Sequence, residues 1–290
     1  MLEKLKITVM AEDSVGYDSA LLGQHGISLL LTARSAGVEK NILVDVAQDP
    51  EALLANFKTM GISPAGIDAV VLTHCHYDHT RGLARILRAI GRSDIPVIAH
   101  PDIFRLNFIQ TPFLRHVGVM PGDLKPQIED AGGVLFMTRD PLQFLPGLMT
   151  TGEVERTNDF EDAGIDLCTI EKGRVKTDTM ADDISLVAVI EDRGLVVVTG
   201  CCHAGIVNVL AAARRISGVE KVVGLLGGLH LVEASEARIG KTVEGIRAVD
   251  PDWVYAGHCT GFRAQAALYD ALKNRFAPLQ TGMVIDVAAK

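Results

Sequence analysis

Eight short apolar runs, rich in β-branched residues and stopped by small or polar ones, limit the folds open to this chain. Runs of this kind are typical of strands buried in a sheet. Helix-like segments alternate with the later runs, and the first is bounded by Asp49 at the N-cap position and Gly61 after its end. This pattern predicts an α/β protein. The apolar runs cover residues 27–33, 40–47, 67–74, 95–100, 184–191, 194–201, 221–228 and 252–258, and the helical segments cover residues 49–61, 80–91, 204–218, 234–250 and 261–277.

The length of the chain and the positions of its prolines indicate how it is organised. At 290 residues it can form one large α/β domain. No fixed repeat and no low-complexity linker divides it. Residues 101–183 are the least periodic part and are repeatedly interrupted by proline. We therefore predict a single domain over residues 1–290, with an irregular insertion of loops or a lid at residues 101–183.

Charge and composition narrow the range of partners. The net charge of −8, without a long basic run, disfavours nucleic acid. No apolar run reaches the roughly 18 to 20 residues that a membrane helix requires, so we expect no membrane association. The five cysteines lack the paired spacing of zinc knuckles, and no secretory signal is evident, which predicts a reducing cytoplasm. We expect a small-molecule substrate, and the composition leaves the oligomeric state open.

The stretch THCHYDHT at residues 73–80 places four metal-ligating side chains directly after a strand-like run. A loop between the end of a strand and the start of a helix can direct several ligands to one point. Imidazole nitrogen and carboxylate oxygen suit zinc and, with more carboxylate, iron or manganese. Surface histidines on a polar turn would not require this density. The stretch therefore predicts a metal site formed by His74, His76, Asp78 and His79.

Three further histidines follow predicted strands, and each lies close to glycine. They are His203 in TGCCHAG, His230 in GGLHL and His258 in GHCTG. Glycine lets the backbone approach closely, as a site shared by several strand ends requires. Each histidine alone could be a capping or buried residue. Because the order of strand, glycine and histidine occurs three times, we expect the three histidines to converge on one site.

These residues resemble the metallo-β-lactamase superfamily, whose signature is His-x-His-x-Asp-His. Asp45 in ILVDVA matches an aspartate that the superfamily has after an early strand, and His258 matches its last ligand histidine. The resemblance extends over nearly the whole chain. It implies a four-layer αββα sandwich, with two central sheets flanked by helices and the metals at one edge.

Four segments resemble a narrower group within that superfamily. The group comprises 7,8-dihydropterin-6-methyl-4-(β-D-ribofuranosyl)aminobenzene-5′-phosphate synthases and related metal-dependent hydrolases. The segments are TGEVER (151–156), TGCCHAGIVN (199–208), GGLHL (227–231) and GHCTG (257–261). The match is specific to a group of sequences and much less specific to a substrate.

The chain departs from the superfamily pattern at one ligand position. Many members carry an aspartate that bridges two metals after the strand that reads VVVTGCCH here, and Cys201, Cys202 and His203 stand in its place. The resemblance implies one or two divalent ions, with zinc expected and manganese or iron as alternatives. We assign His74, His76 and His203 to the first ion, Asp78, His79 and His258 to the second, and Asp45 and Cys202 to positions beside the ligands.

The predicted function is metal-dependent hydrolysis of a phosphate, diphosphate or ester-type small molecule. A metal lowers the pKa of bound water to about 7, and Asp78 can orient that water. His230 is a candidate acid, and Glu153 and Arg156 are candidate contacts for a phosphorylated substrate. One alternative is a synthase that joins a dihydropterin diphosphate to a ribofuranosylaminobenzene phosphate. Another is a catalytically inactive binding protein, and a third is an iron-dependent redox protein.

Overall fold

The strands of the protein form three sheets. The computed structural model describes residues 1–290. In chain order the strands are β1 (Lys4–Ala11), β2 (Ser28–Ser35), β3 (Val38–Val44), β4 (Ala69–Val71), β5 (Ile95–Ala99), β6 (Phe108–Ile109), β7 (Arg115–His116), β8 (Gly133–Met137), β9 (Gln143–Leu145), β10 (Leu148–Thr150), β11 (Leu167–Glu171), β12 (Arg174–Thr177), β13 (Leu186–Ile190), β14 (Gly194–Val198), β15 (Val222–Gly228), β16 (Trp253–Gly257), β17 (Phe276–Pro278) and β18 (Val284–Ala288).

Seven α-helices and several short 3₁₀ turns connect the strands. None of the helices is both long enough and apolar enough to cross a bilayer. The α-helices are α1 (Pro50–Thr59), α2 (Tyr77–Thr80), α3 (Leu83–Ile90), α4 (Lys125–Asp130), α5 (Ile206–Ser217), α6 (Glu236–Val249) and α7 (Phe262–Leu272), and the 3₁₀ turns are Pro64–Gly66, Pro101–Phe104, Pro121–Asp123, His258–Thr260 and Lys273–Arg275.

Two seven-stranded sheets make up the centre of the protein. The first has the order β18-β1-β2-β3-β4-β5-β8, and its strands are parallel from β3 to β8. The second has the order β17-β16-β15-β14-β13-β10-β9, and its strands are parallel from β17 to β14. Parallel neighbours in one sheet have their carboxyl ends at the same edge. That edge is where loops from several strands can meet.

Three apolar clusters show that these sheets lie between layers of helices. Along β14, Leu195 and Val197 face a cluster that also contains residues of α5, α6 and α7. The alternate residues Val196 and Val198 face a cluster contributed by both sheets. A third cluster lies between the first sheet and helices α1, α3 and α4. Because strand side chains alternate between faces, the order is helix, sheet, sheet, helix, and the predicted αββα sandwich is confirmed.

Most of the predicted elements are present, with one clear difference near the C-terminus. The helix predicted at residues 261–277 ends at Leu272, and the chain continues into strand β17. The backbone at Lys273 has a φ of 53°, which a continuing helix does not permit. Phe276 is then free to pack into the helix-side cluster of the second sheet while β17 pairs with β16. The N-cap prediction holds, since Asp49 accepts hydrogen bonds from the backbone at Glu51 and Ala52.

Residues 101–183 are more regular than an insertion of loops. Strand β8 extends the first sheet, and β9 and β10 extend the second. The remaining strands form a four-stranded sheet in the order β12-β11-β6-β7. These strands are short, and prolines separate them, so they produce no long periodic pattern. The small sheet covers the edge where the carboxyl ends of the central strands meet, because Ile109 and Arg115 on its strands line the same cavity as His76 and His258.

Candidate metal centre

The candidate ligands lie just beyond the carboxyl ends of the central strands. His74 and His76 follow β4, and Asp78 and His79 lie in the single turn of α2. His203 follows β14, His230 follows β15, and His258 follows β16. All of these side chains are buried. The two sheets therefore bring together residues that are up to 184 positions apart in the sequence, His74 and His258 being the extremes.

His74, His76 and His203 form a compact set that we call the first ligand group. The ring centroid of His74 lies 4.8 Å from that of His76 and 4.9 Å from that of His203. The rings of His76 and His203 are 4.8 Å apart. His74 Nε2 and His76 Nδ1 point towards each other at 3.2 Å. The three rings meet edge to face, and the ligating atoms of His74 and His203 lie within 4.8 Å of each other and of the Cys201 sulfur.

Asp78, His79 and His258 form the second ligand group. Asp78 Oδ2 lies 3.5 Å from His79 Nε2 and 3.2 Å from His258 Nε2. These atoms, together with the sulfur of Cys201, all lie within 4.8 Å of one another. The rings of His74 and His79 are 4.1 Å apart, so the two groups are adjacent. Each group could hold an ion with its own ligands.

One buried carboxylate orients a histidine in each group. Asp45 follows β3 and accepts a hydrogen bond from His79 Nδ1 at 2.7 Å. It also accepts from the backbone N–H and the hydroxyl of Thr73, both at 2.7 Å. The Thr73 hydroxyl in turn lies 3.0 Å from His74 Nδ1. The Nδ1 protons of His74 and His79 are thereby directed to acceptors, which leaves both Nε2 atoms unprotonated and available to a metal.

The other three histidines are held in the same way. His76 Nε2 faces Asn107 Oδ1 at 3.1 Å, and His203 Nδ1 faces the carbonyl of Ala163 at 2.8 Å. His258 Nδ1 lies 2.9 Å from a carboxylate oxygen of Asp13. In each case the nitrogen opposite the acceptor points towards the ligand groups. Outer-sphere acceptors of this kind fix the tautomer of metal-binding histidines.

Unsatisfied buried atoms show that the donor set fits a metal. The Nε2 atom of His203 is buried and has no hydrogen-bond partner, and that of His258 lies 3.2 Å from Asp78 Oδ2 without hydrogen-bond geometry. Burying a polar atom without a partner costs roughly 1–3 kcal/mol. A cation at the centre of the groups would satisfy both atoms. Nitrogen, carboxylate and sulfur donors at such spacing suit zinc or iron better than magnesium or calcium.

The protonation states of the first group and of Asp78 suit a cation, whereas Cys259, Asp13 and Asp78 outweigh burial and raise the pKa of His258 well above its usual value, so His258 must lose a proton to bind. Burial lowers the pKa of His76 to about 4, and it also lowers the pKa values of His74 and His203. For Asp78 burial alone would raise the pKa, but the interactions with the surrounding imidazoles of His79, His258 and His76 outweigh burial and hold the pKa well below its usual range. At neutral pH the first group is therefore uncharged and Asp78 is ionised. Metal ligands must be in these forms to bind.

Several residues that position the site carry no signal in the sequence analysis. Arg105 forms ion pairs with Asp178 at 2.6 Å and with Asp182 at 2.8 Å. Asp182 also accepts a hydrogen bond from the backbone N–H of Cys75, and Asp183 accepts one from Ala204. These contacts tie the loop before β13 to both ligand-bearing loops. The acidic pair in MADDIS, directly before a buried strand, is the one local feature that could have indicated them.

Two acid-base residues at the mouth of the site were also missed. Asp13 follows β1, and His25 precedes β2. His25 lies between Asp13 and Asp78, at 3.4 Å from a carboxylate oxygen of each. Its side chain is 49% exposed, so it stands where solvent reaches the second ligand group. Both residues lie in an irregular segment, and only the folded structure brings them to the ligands.

The structure separates the two adjacent cysteines that follow β14. Cys201 faces the ligand groups, with its sulfur 3.1 Å from His79 Nε2. The side chain of Cys202 instead packs in the apolar cluster beneath α5, α6 and α7. Asp45 lies beside the ligands as expected from the resemblance, whereas the side chain of Cys202 points away from them. The left-handed backbone at Cys202, with a φ of 64°, produces this division.

The three residues suggested for catalysis or substrate binding occupy different environments. His230 lies beside the first group, with its ring 4.1 Å from that of His203 and neither ring nitrogen hydrogen-bonded. Arg156 donates to the backbone carbonyl of His203 at 3.2 Å and so supports a ligand loop. Glu153 instead pairs with Arg139 at 2.8 Å and is not among the residues that line the metal cavity.

A cavity of about 250 Å³ opens onto the ligands. Its walls include His76, Asp78, His230 and His258, and the small sheet contributes Ile109, Arg115 and Val117. Arg115 is the one lysine or arginine on these walls, and it forms no salt bridge. The volume lies just below the range of ordinary ligand pockets, roughly 300–1,000 Å³.

The chain is similar to known proteins over its whole length. It is 38% identical over 287 residues to the 7,8-dihydropterin-6-methyl-4-(beta-D-ribofuranosyl)-aminobenzene-5′-phosphate synthase of Methanocaldococcus jannaschii, with 98% of this chain and 97% of the relative covered. It is also 30% identical over 278 residues to an uncharacterized protein of the same organism, with 95% and 98% covered.

Solved structures and the superfamily's own sequence model agree on the fold. The crystal structure of Tm1679, a metal-dependent hydrolase of the beta-lactamase superfamily, has a TM-score of 0.81 at 21% identity and covers 98% of this chain and 99% of its own. A diphosphatase from the PhnP family has a TM-score of 0.51 at 13% identity, with 99% and 98% covered. Residues 29–154 match the sequence model of the metallo-beta-lactamase superfamily. The chain therefore belongs to the metallo-β-lactamase superfamily, in the branch that contains the dihydropterin synthase relative.

Proposed function

We propose that this protein is a metal-dependent transferase that joins a dihydropterin to a phosphorylated ribofuranosylaminobenzene. The observation that carries the proposal is the 38% identity to the synthase of that name over 98% of the chain. Similarity over this length extends beyond the ligand motif to the small sheet and the strand-end loops that form the cavity. The first choice from the sequence alone was hydrolysis, and the synthase was its alternative. The full-length relative supports the synthase as the first candidate instead.

The chemistry of the cavity supports a phosphorylated substrate. Divalent ions, when bound, supply positive charge that stabilises the oxygens of a departing diphosphate. Arg115 lines the same cavity from a strand of the small sheet and has no carboxylate partner. A guanidinium can bind phosphate oxygens through two parallel hydrogen bonds. Arg115 thus replaces Glu153 and Arg156 as the proposed contact for substrate phosphate.

The proposed reaction exchanges one bond to carbon for another. The amine nitrogen of the aminobenzene forms a bond to the methyl carbon of the dihydropterin, and the bond from that carbon to the diphosphate oxygen breaks. The diphosphate leaves with its electron pair. Glu233 accepts the proton that the amine loses, because it lines the cavity and is engaged in no salt bridge. His230 lines the same cavity with neither ring nitrogen hydrogen-bonded, so it is available to donate a hydrogen bond to a substrate oxygen.

Hydrolysis is the second candidate function. It is favoured by the half-exposed His25 beside Asp78, since solvent reaches the second ligand group there. In that reaction water takes the place of the amine, and the diphosphate or phosphate is released without formation of a carbon–nitrogen bond. The same ligands serve both reactions, so the distinction lies in whether the cavity admits the amine.

An assay with both substrates distinguishes the two reactions. The metal-loaded protein is incubated with a dihydropterin-methyl diphosphate, with and without the ribofuranosylaminobenzene phosphate, and products are identified by mass spectrometry. Transfer predicts a coupled product and diphosphate release that both require the amine. Diphosphate release at the same rate without the amine would establish hydrolysis instead. His79→Ala is the control for a contaminating enzyme, and Glu233→Gln should slow transfer by about 10²-fold or more while leaving metal content unchanged.

A further inference from the structure

The sulfur of Cys201 occupies the boundary between the two ligand groups. It lies within 4.8 Å of the ligating atoms of the second group, and it lies equally close to those of His74 and His203 in the first. No other residue is common to these two sets. The side chain is buried, with 2% of its surface exposed. One atom is therefore placed to contact ions held by either group.

The local backbone explains how the sulfur reaches this position. A side chain at Gly200 would collide with the hydroxyl of Thr73 and lie 2.8 Å from Asp45, the residue that orients the ligands. At Gly228 on the neighbouring strand it would meet the sulfur of Cys259 at 2.7 Å. Gly200 thus lets the end of β14 approach the first sheet, and Gly228 lets the end of β15 approach the loops that follow β14 and β16. Cys201, one residue after Gly200, is thereby carried between the histidines.

We propose that the thiolate of Cys201 bridges two divalent ions, in place of the aspartate that bridges them in many superfamily members. The buried Nε2 atoms of His203 and His258 belong to different ligand groups, and each would supply a terminal ligand for one ion. When the ions bind, the thiol proton passes to solvent, and no oxidant or reductant takes part. A bridging sulfur favours zinc, cobalt and iron(II) over manganese and magnesium, because thiolate is a soft ligand.

The adjacent cysteine supplies a matched control. Cys202 is as deeply buried as Cys201, but its side chain lies in the apolar cluster on the helix side of the second sheet. Serine at either position makes the same chemical change one residue apart. A loss confined to position 201 therefore reports sulfur–metal contact and not general damage to the core. Cys259 is the second control, since its sulfur groups only with Cys201 and His230.

Cobalt(II) binding tests the bridge without reference to any enzymatic activity. The metal-free protein is titrated with cobalt(II) alone, and the sulfur-to-cobalt charge-transfer band in the near ultraviolet is recorded. The bridge predicts a band that grows through both the first and the second equivalent. Cys201→Ser should reduce it at least about tenfold, whereas Cys202→Ser and Cys259→Ser should retain it. Cys201→Asp should bind two equivalents without the band, and this variant decides the matter if the serine variant fails to fold.

Three results would overturn the proposal. The band could persist in the Cys201 variants, it could disappear with Cys259→Ser instead, or it could grow over a single equivalent only. The last result would show a terminal sulfur ligand and no bridge. Because the readout is spectroscopic, failure here would leave the proposed transferase activity untouched, and absence of that activity would leave the bridge untouched.

Discussion

Replacing Asp45 by asparagine tests how one carboxylate prepares both ligand groups. Asp45 accepts three hydrogen bonds of 2.7 Å, two from Thr73 and one from His79 Nδ1. Asparagine has nearly the same volume, and its carbonyl oxygen can still accept from the Thr73 backbone. Its NH₂ group, however, would face His79 Nδ1, which donates a hydrogen bond to Asp45 in the wild-type protein. The imidazole of His79 must then move its proton to Nε2, the atom that faces the second ligand group.

The expected size of the effect follows from these three bonds. The backbone N–H of Thr73 keeps an acceptor that is now neutral, and the Thr73 hydroxyl, which bonds to the same oxygen as His79, faces the NH₂ group and loses its acceptor. At about 1 kcal/mol each, these two changes lower the free energy of unfolding by about 2 kcal/mol. Loss of an outer-sphere partner lowers metal affinity by about 10- to 100-fold, which corresponds to about 1.4–2.8 kcal/mol. We therefore expect a variant that still folds but binds its second ion weakly.

Competition with a zinc chelator, together with urea unfolding of the metal-free protein, measures both quantities. Thr73→Val is the matched control, because it breaks the link to His74 and leaves the bond between Asp45 and His79 in place. It should lower the metal affinity of the first ligand group only. If Asp45→Asn bound two zinc ions with wild-type affinity, the proposed control of the histidine tautomers would be refuted.

Three further predictions concern the cavity and the first ligand group. A side chain at Gly164, where φ is 85°, would collide with the ring of His230. Gly164→Ala should therefore lower turnover by about tenfold or more without changing metal content. Gly173→Ala is the control: with open space around it and a φ of 76°, it should cost only about 1 kcal/mol of stability. Arg115→Ala should raise KM for the phosphorylated substrate by about 10- to 100-fold with a smaller change in kcat. If Arg115→Lys recovers less than half of the lost affinity, the planar guanidinium is needed. Burial lowers the pKa of His76 from 6.5 to about 4, so the folded metal-free protein favours the neutral ring. The free energy of unfolding of the metal-free protein should therefore be highest above about pH 6.5 and fall by up to about 3 kcal/mol as the pH drops to 4. A free energy from urea unfolding that does not change with pH would contradict this.

The parts of the site that are local in sequence could be predicted, because their spacing alone brings them together. His74, His76, Asp78 and His79 lie within six residues at the end of one strand. His258 could be predicted because parallel strands share an edge, which converts a distant strand end into a neighbour. The αββα layers followed from apolar runs and from the resemblance that the ligand motif carries.

The remaining features depend on geometry that composition does not record. Whether Cys201 or Cys202 faces the metals is decided by a left-handed residue in the turn after β14. Glu153 stands away from the cavity because Arg139 holds it elsewhere. His25 joins the site through an irregular segment that has no periodic pattern. The short strands of residues 101–183 pair with distant partners, so their order cannot be deduced from their own sequences.

Metal content per chain tests the central claim most directly. Protein purified without chelator or added metal is analysed by mass spectrometry, and metal-free protein is titrated with zinc in parallel. Two occupied ligand groups predict close to two equivalents of zinc, iron or manganese, with loss of one on His258→Ala and of both on His74→Ala combined with His79→Ala. Less than a tenth of an equivalent, with no uptake on titration, would contradict the existence of the metal centre.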